Sequence, residues 1–210
     1  RARGVPFELP GAAGVEAEAP AAAFARQNGH VWFSPSTDSE GVPGHGTLGV
    51  ELSEQLETID AVVVPVGGGG LIGGVAGYLK EVNPSIEVIG CQPVNSCVMY
   101  ESVKAGEILD IESLPTISDA TAGGMEKGAI TLDLCQRLVD DWIILEEEEI
   151  IEAMRFLLER EDLTIEGGAA MPAAAVLRDP ARFAGRRTVL IVSGGRVDEA
   201  TLARVLSHQA

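Results

Sequence analysis

Residues 61–92, AVVVPVGGGGLIGGVAGYLKEVNPSIEVIGCQ, constrain the fold more than any other stretch of the chain. The apolar run 61–66 has the character of a strand buried on both faces. Four glycines follow it. Glycine is the costliest ordinary residue to order, and four together make a poor start to a helix. Something must therefore exclude side chains at Gly67, Gly68, Gly69 and Gly70. Residues 71–81 read as a helix that Asn83-Pro84 breaks, and 86–91 (IEVIGC) as the next strand. Strand, helix and strand make a βαβ unit, which implies parallel strands.

The remaining segments continue the alternation. WIIL (142–145) and TVLIVS (188–193) read as further buried strands. Residues 147–160 read as a helix with Ile150, Met154, Leu157 and Leu158 on one face, and Leu48, Leu52 and Leu56 recur near helical spacing from Thr47. Residues 5–9 and 30–34 read as short strands. Residues 15–28 read as an Ala-rich helix whose Pro20 must fall in its first turn or kink it. SPSTDSEGVPGHG (34–46) reads as a loop. The fold class is α/β: an open, twisted, mostly parallel sheet with helices on both faces. There is no internal repeat and no low-complexity linker.

A chain of 210 residues can bury roughly 70% of its unfolded surface, so its core needs no disulfide or metal staple. The net charge of −17 argues against a nucleic-acid partner or an anionic membrane. The uncharged stretch 61–79 is no membrane span, since it holds seven glycines and Pro65. The chain opens without the charged and apolar regions of a signal peptide. Cys91, Cys97 and Cys135 are odd in number and lack CxxC spacing, so they read as reduced, cytoplasmic thiols. His30, His45 and His208 are scattered, which disfavours zinc. The acids 146–149 read as a helix N-terminus rather than a metal cluster.

In open parallel sheets ligands bind beyond the carboxyl ends of strands. Here those ends carry the tetraglycine, Gln92-Pro93 and Ser193-Gly194-Gly195. A glycine-rich turn opening a helix is an anion site, because backbone N–H groups converge there and the helix dipole adds positive potential. Tight helix–sheet packing is the competing explanation for one or two of the glycines. Gly68-x-Gly70-x-x-Gly73 matches the dinucleotide fingerprint, a weak signal alone. That fingerprint wants an acid about 20 residues later, where this chain has Gln92. No lysine follows a suitable glycine for a P-loop. Ile191, two before Ser193, excludes a GxSxG nucleophile elbow.

VVVPVGGGGLIGGVAGYLK, GHGTLGVEL, VDDWIILEEEEI, IEGGAAMPAAAVL and VLIVSGGRVD together resemble the pyridoxal-phosphate enzymes of the tryptophan synthase β-type fold (fold type II). The resemblance covers essentially the whole chain and is nearest to the threonine/serine dehydratase and serine racemase branch. It implies that residues 67–70 and the Leu71 amide cup the pyridoxal phosphate, and that Ser193 meets the pyridine nitrogen. Glu166 matches a family glutamate near the cofactor; an acid at a helix N-terminus is the plainer reading. The implied activity is β-elimination of water from an amino acid such as L-threonine or L-serine, giving a 2-oxo acid and ammonia. The implied enzyme is a cytoplasmic homodimer acting on a small amino acid. A racemase of the same fold, a nucleotide-binding oxidoreductase and a non-catalytic fragment stay open as alternatives.

Several positions depart from the family pattern. The loop usually written GQGT is Gly44-His45-Gly46-Thr47, the last-strand motif ends in Arg196 rather than Asn, and Ala120 replaces a glycine. Some relatives bind a divalent cation through a glutamate at the position of Gln92. With an amide there, and Cys97 and Val98 nearby, no such metal site is expected, while a monovalent ion stays open. Lys80, Lys104 and Lys127 all lack the context of the family's Schiff-base lysine. That lysine is expected upstream of Arg1, with this chain lacking the N-terminal part of the enzyme and any catalytic residue. Residues 1–37 then belong to the end of a small domain, and 38–210 to most of the large, cofactor-binding domain. No C-terminal regulatory domain is expected after Ser193.

Overall fold

The computed structural model describes residues 14–207. The strand expected at 5–9 lies outside the described residues. Four strands, β1 (Ala61–Pro65), β2 (Glu87–Pro93), β3 (Asp141–Leu145) and β4 (Thr188–Leu190), form one sheet in the order β3-β2-β1-β4. Every pairing is parallel, with Val62 beside Val88 and Val189. All five residues of β1 are buried, as a continuous apolar run requires.

The helices are α1 (Gly14–Gln27), α2 (Gly41–Gly44), α3 (Gly46–Gln55), α4 (Gly70–Val82), α5 (Val98–Ala105), α6 (Thr131–Leu138), α7 (Glu147–Glu161), α8 (Gly167–Arg178), α9 (Pro180–Phe183) and α10 (Glu199–Ser207). Alternate residues of β1 feed two cores, one on each face of the sheet. Ala61 and Val63 pack with Ile150 and Met154 of α7 and Ala170 of α8. Val62 and Val64 pack with Ile72, Val75 and Leu79 of α4 and Met99 of α5. At the amino ends of the strands Glu87 accepts from Arg182 (2.8 Å) and Arg186, and Arg182 also pairs with Asp141 (2.8 Å). The carboxyl ends of the strands face the other way.

Three expectations are corrected. Residues 30–34 form no strand: Val31 is 94% exposed, and no strand pairs with this segment among the described residues. Extended backbone without a neighbour has no ladder to join. Of the two arrangements expected for Pro20, it takes the interior of α1, where it withholds one helical N–H. The 34–46 stretch is not all loop, since it contains α2 and the start of α3. Asp38 Oδ1 starts that turn by accepting from the amides of Glu40 (2.8 Å) and Gly41 (3.0 Å). Finally, β4 stops at Leu190 instead of running to 193. Ile191 N still donates to Val63 O (3.0 Å), but the next bond would need an N–H from Pro65, which has none.

Candidate functional site

The tetraglycine leaves the end of β1 and enters α4. Gly69 has φ +85°, the left-handed conformation that side chains disfavour. A Cβ on it would stand 2.6 Å from Met99 Cε and 3.0 Å from Thr131 Cβ. A Cβ on Gly70 would collide with the Pro35 carbonyl, and one on Gly67 would lie 3.1 Å from Thr121 Cα. Gly68 differs: its nearest neighbour would be Ser36 Cβ at 3.8 Å, an ordinary contact. Packing therefore explains three of these glycines, more than the one or two expected of it, and leaves Gly68 for something outside the protein.

The loop's amides are available. Among the described residues, the N–H groups of Gly67, Gly68 and Gly69 have no acceptor, and the first intrahelical bond there is Gly73 N to Gly69 O (2.9 Å). The N–H groups at the start of α4 therefore lack intrahelical partners as well. This is a cradle for an anion at a helix N-terminus.

Every residue that the sequence nominated borders one cavity of about 410 Å³: Gly67, Gly68, Gly69, Gly70, Leu71, Glu166 and Ser193. Ser193 arrives there because the chain leaves the sheet after Ile191. Glu166 stands at the N-cap of α8 but makes no side-chain capping bond. Its carboxylate instead accepts from Arg196 N (3.1 Å), and its own amide donates to Gly194 O (3.3 Å). It also occupies the space that a Cβ on Gly194 would need. Glu166 therefore fastens the loop that carries Ser193.

Sequence reasoning missed several walls of the cavity. Glu18 of α1, Pro35, Ser36, His45 and residues 120–126 line it too. GHGT marked His45 in the sequence, but no local pattern marks Ser36 or Glu126. The described side chains bordering the cavity include three carboxylates, Glu18, Glu126 and Glu166, and no lysine or arginine. Burial, followed by the Glu126 charge, pushes the Glu18 carboxyl above the usual range. With no lysine or arginine there, the open backbone amides of the glycine loop are the main donors offered to an anion.

Gln92 lies 1% exposed beneath the site. Its Nε2 donates to Val66 O (3.2 Å) and its Oε1 accepts from Tyr100 N (2.8 Å), so both ends of the amide are used. It does not line the cavity, and no ribose can reach it there. Acids in the first turn of α7 are likewise engaged by backbone. Glu149 accepts from Glu146 N (2.8 Å), and Glu147 from Ile117 N (2.7 Å).

The donor set fits the phosphate of pyridoxal phosphate, and Ser193 borders the same cavity as the loop. No lysine reaches it. Lys80 pairs with Asp140 (2.6 Å), Lys104 pairs with Glu101 (3.1 Å), and Lys127 is exposed.

Comparison with known proteins agrees with this geometry. The family model described as "Pyridoxal-phosphate dependent enzyme" matches residues 7–194. The L-threonine ammonia-lyase of Thermotoga maritima is 37% identical over 181 residues, which are 86% of this chain and 45% of that enzyme. The catabolic L-threonine dehydratase of Escherichia coli is 36% identical over 179 residues, 84% of this chain and 54% of that enzyme. The chain thus spans about half the length of these curated relatives. Among solved structures, maize serine racemase superposes with a TM-score of 0.84 at 30% identity, covering 98% of this chain and 63% of that one. The processed form of threonine deaminase isoform 2 from Solanum lycopersicum gives 0.82 at 29% identity, covering 90% and 56%. With the family model matching most of its length, the chain belongs to the pyridoxal-phosphate dependent enzymes.

Proposed function

We propose that this chain carries the cofactor-holding part of a lyase that removes water from a β-hydroxy amino acid such as L-threonine or L-serine, giving a 2-oxo acid and ammonia. The observation that carries this reading is the convergence of residues 67–71, Glu166 and Ser193 on one cavity whose open amides form an anion cradle. Bound pyridoxal phosphate supplies an electron-withdrawing ring that stabilises negative charge at the substrate α-carbon. The amides of residues 67–71 hold its phosphate. Ser193 would offer the ring nitrogen a neutral hydroxyl, which would not keep that nitrogen protonated as a carboxylate would. A weaker electron sink suits elimination better than transamination. Glu166 holds the Ser193 loop in place. The lysine that completes the chemistry is not Lys80, Lys104 or Lys127, because none of these borders the cavity.

In this reading residues 1–37 are the end of a small domain and 38–210 most of a large one, in a cytoplasmic homodimer. The likeness to maize serine racemase favours racemisation as a second reading. The test uses the protein at its full natural length, incubated with pyridoxal phosphate and with L-threonine or L-serine. We expect 2-oxo acid to form, and Ser193→Ala to slow its formation without unfolding the protein. Accumulation of D-serine without 2-oxo acid would select the racemase. Absence of both products from a cofactor-loaded protein would end the proposal.

A further inference from the structure

Two stretches far apart in sequence meet at the cavity. The turn at 34–37 is folded on itself, with Ser34 Oγ accepting from the amides of Ser36 (3.2 Å) and Thr37 (3.0 Å). Glu126 holds the same turn from outside. One of its carboxylate oxygens accepts from the hydroxyls of Ser34 (2.6 Å), Ser36 (3.3 Å) and Thr37 (3.3 Å). Four residues on, Ile130 N donates to Ser36 O at 3.0 Å. Ser34 and Ser36 are 1% and 4% exposed, while Thr37 and Glu126 are half-buried, so the bonds are partly withdrawn from water. The turn rests directly on the glycine loop. The Pro35 carbonyl fills the space beside Gly70, and Ser36 Cβ faces Gly68. Pro35, Ser36 and Glu126 all border the cavity.

We propose that Glu126 is a positioning residue that clasps the 34–37 turn onto the glycine loop, so that the turn shields the amides receiving an anion from water. The proposal rests on reading residues 67–71 as a phosphate cradle. Excluding water strengthens a hydrogen bond between an amide and an anion. By charge alone, a carboxylate beside an anion site weakens binding. A role through geometry and a role through charge therefore predict opposite consequences when Glu126 is removed.

The test compares Glu126→Gln, which keeps an acceptor without the charge, with Glu126→Ala, which removes both, in the protein at its full natural length. The first readout is hydrogen exchange at the Thr37 and Ile130 amides without cofactor. Both should exchange faster in the Ala variant and stay near the wild-type rate in the Gln variant. The second readout is fluorescence titration with pyridoxal phosphate and with pyridoxal, which lacks the phosphate. The Ala variant should bind pyridoxal phosphate about tenfold more weakly, the scale of one lost hydrogen bond to a charged group, with pyridoxal affinity unchanged. The Gln variant should bind pyridoxal phosphate at least as tightly as wild type. Unchanged exchange in the Ala variant overturns the clasp. Tighter pyridoxal phosphate binding by both variants assigns Glu126 a charge effect only. Equal weakening for both ligands, with a lower melting temperature, assigns it a general structural role; either result overturns the proposal. If wild type binds neither ligand, the cradle reading fails and takes the anion half with it, while the exchange data still decide the clasp.

Discussion

At the scale of single residues, the four glycines separate into those the fold requires and one it does not. Gly69→Ala would force a side chain into the left-handed region, costing about 1–2 kcal/mol before any overlap with Met99. We expect its melting temperature to fall by about 2–8 °C from this strain alone. Gly68→Ala meets no such obstacle and should melt within about 2 °C of wild type, yet bind pyridoxal phosphate more weakly because its methyl intrudes on the cradle. Equal destabilisation by both substitutions would mean that Gly68 is structural too. The loop was legible in the sequence as a site, but this division of labour was not. The atoms that decide it belong to Pro35, Thr121, Met99 and Thr131, which only the fold brings to the loop. The cysteines offer a second check. Burial pushes the Cys135 thiol up to about 12 and raises that of Cys91 as well. Cys97 is raised too, by burial first and then the Glu101 charge, but it remains partly accessible. A raised thiol pKa suppresses the reactive thiolate. A disulfide reagent at pH 8 should therefore label Cys97 slowly in the native protein, and Cys91 and Cys135 only after denaturation. Native labelling of Cys135 would contradict the packing behind Gly69.

At the scale of elements, Gln92 joins the end of β2 to the end of β1 and the first turn of α5. Both ends of its amide are used by backbone, and a neutral amide is a poor ligand for hard divalent cations. Magnesium, calcium or a chelator should therefore leave the activity of the complete enzyme nearly unchanged. Strong activation by either cation, abolished in Gln92→Ala, would refute this. The elements differ in how far the sequence disclosed them. β1, α4 and β2 were legible because a strand buried on both faces is apolar throughout and Asn83-Pro84 ends the helix. α8 carries two glycines and Pro172, and its residues 167–175 are all buried. A helix buried all round shows no amphipathic period, so the usual signal was absent. The 30–34 segment failed for the opposite reason, because its apolar pattern suits a strand but a strand exists only beside a partner.

At the scale of the whole molecule, the exposed apolar surface and the missing cavity lysine bear on what the 210-residue chain can do alone. Phe24 is 60% exposed, Phe33 56% and Val31 94%, all close together in sequence. Large exposed apolar patches mark surfaces that associate. The net charge of −17 opposes self-association at long range and is screened by salt. Self-association of the chain should therefore increase as salt is added, which light scattering would detect. Catalysis by the chain alone is not expected, since Lys80 is held by Asp140, Lys104 by Glu101, and Lys127 does not border the cavity. The cradle needs only backbone amides, so pyridoxal phosphate should still bind, reversibly and without a covalent link. Incubation of residues 1–210 with pyridoxal phosphate, borohydride reduction and peptide mapping separates these two expectations. We expect saturable binding before reduction, no single lysine labelled after it, and no 2-oxo acid from L-threonine or L-serine. Specific labelling of any of the three lysines, together with turnover, would show that the chain carries its own catalytic lysine and that the cavity closes differently around it.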